Sequence, residues 1–179
     1  MKTKMTVTGV VQMLKKDKQY KRLLNSFNTL SIYNIPKENL INELKEIHSL
    51  REVRRLSPKE DRFIDKLVVA NSHDQSARSR CAEIMLACKH VTTRLEKAVE
   101  SIKQYYVIEY ADHLRQFRTK EERSLVMNIA LKKFIGYIDD VTAISEMSMI
   151  VISDIDKAAW SIRTSVEAVK IHSQREVQV

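Results

Sequence analysis

Between Pro58 and Gly136 the chain contains neither glycine nor proline, and its 179 residues hold only two of each: Gly9, Gly136, Pro36 and Pro58. Tight hairpins, barrels and phosphate-cradling loops need glycine, because they need positive φ or a close backbone approach. A chain this poor in both residues has few places to turn sharply, so long helices joined by few connections are expected. Apolar content of 44% and charged content of 30% give it enough apolar surface for a core and place it among globular rather than disordered chains. No apolar run reaches the roughly 18 residues of a membrane span. The opening MKTKMTVTGVV has positive charge but no sustained apolar stretch, so no signal peptide and a cytoplasmic location are expected. Cys81 and Cys88 would sit two turns apart on one helix, about 10 Å, too far for a disulfide, so both read as buried thiols.

Apolar spacing fills in the helices. Val7, Val10, Val11 and Leu14 form an amphipathic stripe, and Tyr20, Leu23, Leu24, Phe27 and Leu30 repeat it. Pro36 breaks the pattern and suits the first turn of a third helix bearing Leu40, Leu44, Ile47, Leu50 and Val53. The stretch SPKE, 57–60, has the form of a capping box that opens a fourth helix with Phe63, Ile64, Leu67 and Val68 inward. A second box, SHDQ at 72–75, opens a long helix to about Arg115. Its residues Cys81, Ile84, Cys88, Val91, Leu95, Ala98, Ile102 and Tyr105 alternate spacings of three and four, the a/d seam of a coiled coil. A third box, TKEE at 119–122, opens a last helix with Leu125, Ile129, Phe134, Ile138, Val141, Ile144, Val151, Ile155, Ala158, Ile162, Val166 and Val169. Within it MIVIS, 149–153, is rich in β-branched residues and could be a kink or a strand instead.

The expected architecture is therefore all-α. A small helical bundle over 1–71 precedes a long antiparallel helical hairpin over 72–179, because a short connection forces two long helices back on each other. Met147, Met149, Ile150, Val151 and Ile152 surround the last helix. That apolar excess implies either self-association or cover by the N-terminal bundle. The residues expected at the oligomer interface are Ile84, Val91, Leu95, Ile102, Val141, Ile144, Val151, Ile155 and Trp160.

The formal charge of +8 is uneven. Residues 1–72 hold 15 Lys+Arg against 8 Asp+Glu, 73–118 hold 8 against 6, and 119–179 hold 8 against 9. An anion-binding module on a neutral scaffold would segregate charge in this way. HSLREVRRLSPKEDRFID, 48–65, concentrates cations, and together with a neighbouring lysine it gives the candidate DNA contacts Lys45, Arg51, Arg54, Arg55, Lys59 and Arg62. Arg54 and Arg55 also suit a helix C-terminus, where the macrodipole favours cations, so a structural role stands beside the functional one.

Catalytic patterns are missing. The five histidines show no HExxH spacing and no cysteine pattern for zinc, and neither GxxxxGK[ST] nor GxGxxG occurs. Asp139–Asp140 and Asp154–Asp156 are too close in sequence to converge from one helix face. No enzyme activity, cofactor or metal is expected.

LSPKEDRFIDKLVVANSHDQSARSR, 56–80, resembles the opening of the small terminase subunits of tailed bacteriophages. In that family a Leu-Ser/Thr-Pro-Lys stretch leads through an aromatic into a helix; the matching positions here are Leu56, Ser57, Pro58, Lys59, Phe63 and Ala77. The Ala-Gly-Tyr that usually follows in that family is absent here. The resemblance implies a ring of subunits that binds viral DNA through its basic domains and hands it to a large subunit carrying ATPase and nuclease activities. DIDKAAWSIRTSV, 154–166, is similar to the last helix of the T-even type of phage recombination mediator, through Ile155, Lys157, Trp160, Ile162 and Arg163. That resemblance implies an oligomer on single-stranded DNA. A helical protein–protein adaptor or inhibitor, whose basic end meets an acidic partner, is the remaining expectation.

Overall fold

The computed structural model describes residues 5–51 and 62–176, with side chains through Thr164 and at Glu167. Every extended regular element among these residues is an α-helix: α1 (Val7–Lys16), α2 (Lys18–Thr29), α3 (Lys37–Ser49), α4 (Phe63–Glu109), α5 (Ala111–Leu114) and α6 (Lys120–Glu176). One 3-10 turn, Ser31–Tyr33, follows α2, and no strand occurs among the described residues. None of their helices is long and apolar enough to cross a membrane.

The chain forms two compact units, each discontinuous in sequence. Unit 1 comprises Met1–Lys37 and Cys88–Ala143; unit 2 comprises Glu38–Ala87 and Ile144–Val179. This partition differs from a division at 71/72, a point that lies inside α4.

In unit 1, the Thr6 hydroxyl accepts the Gly9 N–H at 3.2 Å and starts α1. Val10, Val11 and Leu14 are its buried residues. Asp17 then ends one helix and opens the next. Its N–H donates to the Leu14 carbonyl at 3.2 Å, and its carboxylate accepts the Gln19 N–H at 2.6 Å. Tyr20 and Leu23 of α2 join this core with Val91, Leu95, Val99, Ile102 and Tyr106 of α4, and with Val126, Met127, Ala130, Leu131 and Phe134 of α6. Aromatic edges knit it: Phe27 meets Phe134 at 5.4 Å and Tyr137 at 5.0 Å, and Tyr20 meets Phe134 at 5.6 Å. The buried Tyr106 hydroxyl donates to the Leu14 carbonyl at 2.8 Å.

Unit 2 buries Leu44 of α3, Ala70, Cys81 and Ile84 of α4, and Ile144, Val151 and Ile155 of α6. Both cysteines are free and buried, as their spacing implies, and burial pushes both thiols up.

Several local expectations need correction. Leu50, Ile64 and Val68, expected to face inward, are exposed. Ser72 caps nothing: α4 runs through it, because Ala70 and Asp74 extend the buried seam toward the N-terminus and leave no break for a cap to satisfy. At the other end of that seam the fully buried residue is Tyr106 rather than Tyr105. At the start of α6, Leu125 and Ile129 are exposed while Val126, Met127, Ala130 and Leu131 are buried. Counting back from Phe134 explains the register: nine and five residues are about 2.5 and 1.4 turns, which point away from the core, whereas three, four and seven return to it.

By contrast, the TKEE box forms as expected. The Thr119 hydroxyl accepts the Glu122 N–H at 3.1 Å, and the Glu122 carboxylate accepts the Thr119 N–H at 3.3 Å. Helix α6 also passes unbroken through 145–153. Ser148, fully buried there, satisfies its hydroxyl on the Ile144 carbonyl at 3.0 Å.

Replacing Tyr106 with Phe removes the shorter of the two hydrogen bonds to the Leu14 carbonyl and leaves it the Asp17 N–H alone, with an expected loss of about 1 kcal/mol in chemical denaturation. The Asp17 carboxyl is subject to two opposing influences. Burial pushes it up, while the Tyr110 hydroxyl, the Gln19 and Tyr20 N–H groups and the Tyr105 hydroxyl outweigh burial and hold it below its ordinary 3.8. Its contribution is therefore full above about pH 4 and lost as pH falls through the lowered value. Asp17→Asn is expected to lower the melting temperature at pH 7 and to flatten the acid side of the stability curve; thermal melts from pH 7 to pH 2.5 read both effects.

Candidate nucleic-acid interface

The arginine-rich stretch does not present one continuous basic surface. Arg51, at the end of the segment after α3, is only 2% exposed. Its guanidinium grips Asp74 of α4 with Nε at 3.1 Å and Nη2 at 2.7 Å, and its Nη1 makes a short ion pair with Asp154 of α6. This side chain is spent on holding three segments of unit 2 together. The expectation that Arg51 contacts DNA is overturned by its burial: no phosphate can reach a cation already enclosed by two carboxylates. Lys45 is exposed on α3. Arg62 is exposed just before α4, where it holds the left-handed φ of 55° and its carbonyl accepts the Lys66 N–H at 3.1 Å. Arg54, Arg55 and Lys59, and the SPKE box with them, lie outside the described residues.

Other cations of unit 2 are also paired. Arg78 meets Asp156 through Nε at 2.7 Å, and Arg80 bridges Glu43 at 2.6 Å and Glu83 at 3.1 Å. Taken whole, unit 2 carries 13 Lys+Arg against 14 Asp+Glu, while unit 1 carries 18 against 9. The protein's net charge of +8 is thus +9 on unit 1 and −1 on unit 2. The partition tracks the folded units more sharply than it tracks the linear sequence.

Within unit 1 the densest cationic stretch is LKKDKQYKR, 14–22. Lys15 and Lys16 close α1; Lys18, Lys21 and Arg22 open α2; all five are exposed. Among the described residues, none of these five side chains has a hydrogen bond or an ion pair. The one acid among them, Asp17, is turned inward, accepting the Tyr110 hydroxyl at 2.7 Å and the Tyr105 hydroxyl at 3.3 Å. Those bonds, with the nearby negative charge, help push Tyr110 up to about 12, behind the larger effect of burial. Charge counting along the sequence included these residues but did not single them out. The signal was available in their spacing, since 18, 21 and 22 share one helix face opposite Tyr20 and Leu23.

Of the expected interface residues, Ile84, Val91, Leu95, Ile102, Val141, Ile144, Val151 and Ile155 are all buried within this chain. Only Trp160 is exposed, at 70%, beside a shallow groove lined by Met149, Ile152, Ser153 and Lys157. Ile64, Val68, Met149 and Ile150 are further exposed apolar residues of unit 2. No group of histidine, cysteine and carboxylate side chains suited to a metal occurs among the described residues. No protein-family model, no curated protein and no solved structure matches the chain.

Arg51→Ala would leave two carboxylates facing each other around a vacated cation site. The expected cost is about 3 kcal/mol, the lower end for a broken buried pair because Asp154 is 28% exposed. Urea unfolding should show that loss, whereas exposed Lys45→Ala should stay within about 0.5 kcal/mol of the parent.

Proposed function

We propose that this chain is a non-enzymatic, DNA-binding, self-associating protein, in its most specific form the small subunit of a phage terminase. The observation that carries the reading is the charge partition: +9 on one compact unit and −1 on the other. Charge spread for solubility alone would not follow unit boundaries, whereas an anion-binding unit beside a neutral assembly unit would.

In this reading α4 and α6 act as the arms of an antiparallel hairpin, and neutral unit 2 supplies the contact between subunits. The exposed apolar residues Ile64, Val68, Met149, Ile150 and Trp160 support self-association there. Such a ring would deliver viral DNA to a large subunit that performs the chemistry. The same exposed Trp160 favours one other reading, a protein–protein adaptor whose working surface is unit 2. The recombination mediator belongs to the first class and differs from the terminase reading in preferring single strands.

Light scattering on the purified protein at low salt, with and without duplex DNA, separates these readings. A ring-sized species that gains mass with DNA, and whose DNA affinity falls steeply as salt rises, is expected. A monomer or dimer indifferent to both duplex and single-stranded DNA would sink this reading and leave the adaptor.

A further inference from the structure

We infer that the α1–α2 corner, Lys15, Lys16, Lys18, Lys21 and Arg22, is the surface on which the protein holds the phosphate backbone of duplex DNA; the inference rests on the DNA-binding reading above and gives it a site.

Three features of the corner bear on this. First, the cations lack partners among the described residues. Elsewhere in the fold Arg51, Arg78, Arg80 and Lys37 each meet a carboxylate. At the corner five cations within eight residues have none among the described residues, and the carboxylate between them is engaged by two tyrosine hydroxyls and the Gln19 N–H. Second, helix stability disfavours this set: Lys18 sits in the first turn of α2, and Lys21 and Arg22 lie close enough to repel it. Lys15 and Lys16 suit the C-terminus of α1. Lys18, Lys21 and Arg22 lie on one face of α2; Lys18 opens its first turn, the positive end of its dipole, where the one nearby acid is the N-cap Asp17. They also repel each other at spacings of three and four. Folding gains nothing from this arrangement, whereas a polyanion outside the protein would neutralise it. The helix N–H groups are not the site, since Asp17 already caps them.

Third, the corner's chemistry narrows the ligand. Leu14, Tyr20 and Leu23 are all turned into the core, so no aromatic face is offered to an unstacked base and no apolar wedge to a lipid bilayer. Long, flexible, exposed cations with no stacking platform match the regular phosphate rows of a duplex, which they would grip without reading sequence.

The test uses the full chain and a 20-base-pair duplex, with affinity measured by fluorescence anisotropy from low to moderate salt. The corner variant carries Lys15→Gln, Lys16→Gln, Lys18→Gln, Lys21→Gln and Arg22→Gln, which preserve helix propensity and relieve repulsion, so its melting temperature should hold or rise. A control removes five cations elsewhere in the same unit: Lys89→Gln, Arg94→Gln, Lys97→Gln, Lys103→Gln and Lys132→Gln. The corner variant should lose at least about tenfold in affinity, and its slope of log affinity against log salt should fall by about 4.5, or 0.9 for each of five lost phosphate contacts. The control should change affinity far less. Equal losses in both variants would reduce the effect to net charge and overturn the site. A corner variant that binds duplex like the parent would overturn the site while leaving DNA binding intact. A parent that binds no duplex would overturn both. Tighter binding to single strands, or to phosphatidylserine vesicles, with the corner variant defective there, would overturn the duplex assignment in favour of that ligand.

Discussion

One carboxylate, Asp17, ties the first two helices to unit 1. A single residue separates α1 from α2, and the chain must reverse its hydrogen bonding there without glycine or proline. Asp17 manages this by closing the last turn of α1 with its N–H and opening α2 with its side chain. The second oxygen accepts from Tyr105 and Tyr110, at the junction between α4 and α5. Two short amphipathic helices of 10 and 12 residues are too short to persist alone in water. They are held by the apolar stripe beneath them and by this anchored acid. Drawing Asp17 inward also strips the outer surface of its only negative charge, so one interaction sets both the geometry and the electrostatics of the corner.

Arg51 shows the opposite use of a charge. It stands first among the arginines that crowd 51–62, yet its side chain is buried and holds two carboxylates from two other helices. A bidentate guanidinium suits that task, since its planar fork meets several oxygens at once. The pairing partners lie 23 and 103 residues away, so no local window could reveal them. The same cation in a row of cations reads as a surface from sequence and as a clamp in the fold.

Much of the architecture was legible in the sequence because periodic burial is a local property. The stripe Val10, Val11, Leu14 and the seam from Cys81 to Ile102 sit where their spacing put them, and the capping box at Thr119–Glu122 forms as written. The failures share a cause. A four-residue motif at Ser72 is overridden by the seam that runs through it, and Leu125 and Ile129, placed on one stripe with Phe134, fall out of its register. The residues expected between subunits are mostly consumed inside one chain, because a heptad pattern marks a buried seam and does not say which helix covers it. At the candidate site, net charge was legible and its location was not, since location depends on which distant acids neutralise which cations.

The interleaving of the two units has a consequence for synthesis. Unit 1 needs residues 1–37 and 88–143, with 38–87 emerging between them. Closing that loop costs chain entropy before any contact of the core can offset it. On the ribosome the first helices therefore emerge well ahead of the segments that bury their apolar stripe. During that interval Val10, Val11 and Leu14 lack the cover that α4 and α6 give them in the folded chain. The order in which the chain appears thus makes the earliest apolar stripe wait for cover that is synthesised well after it.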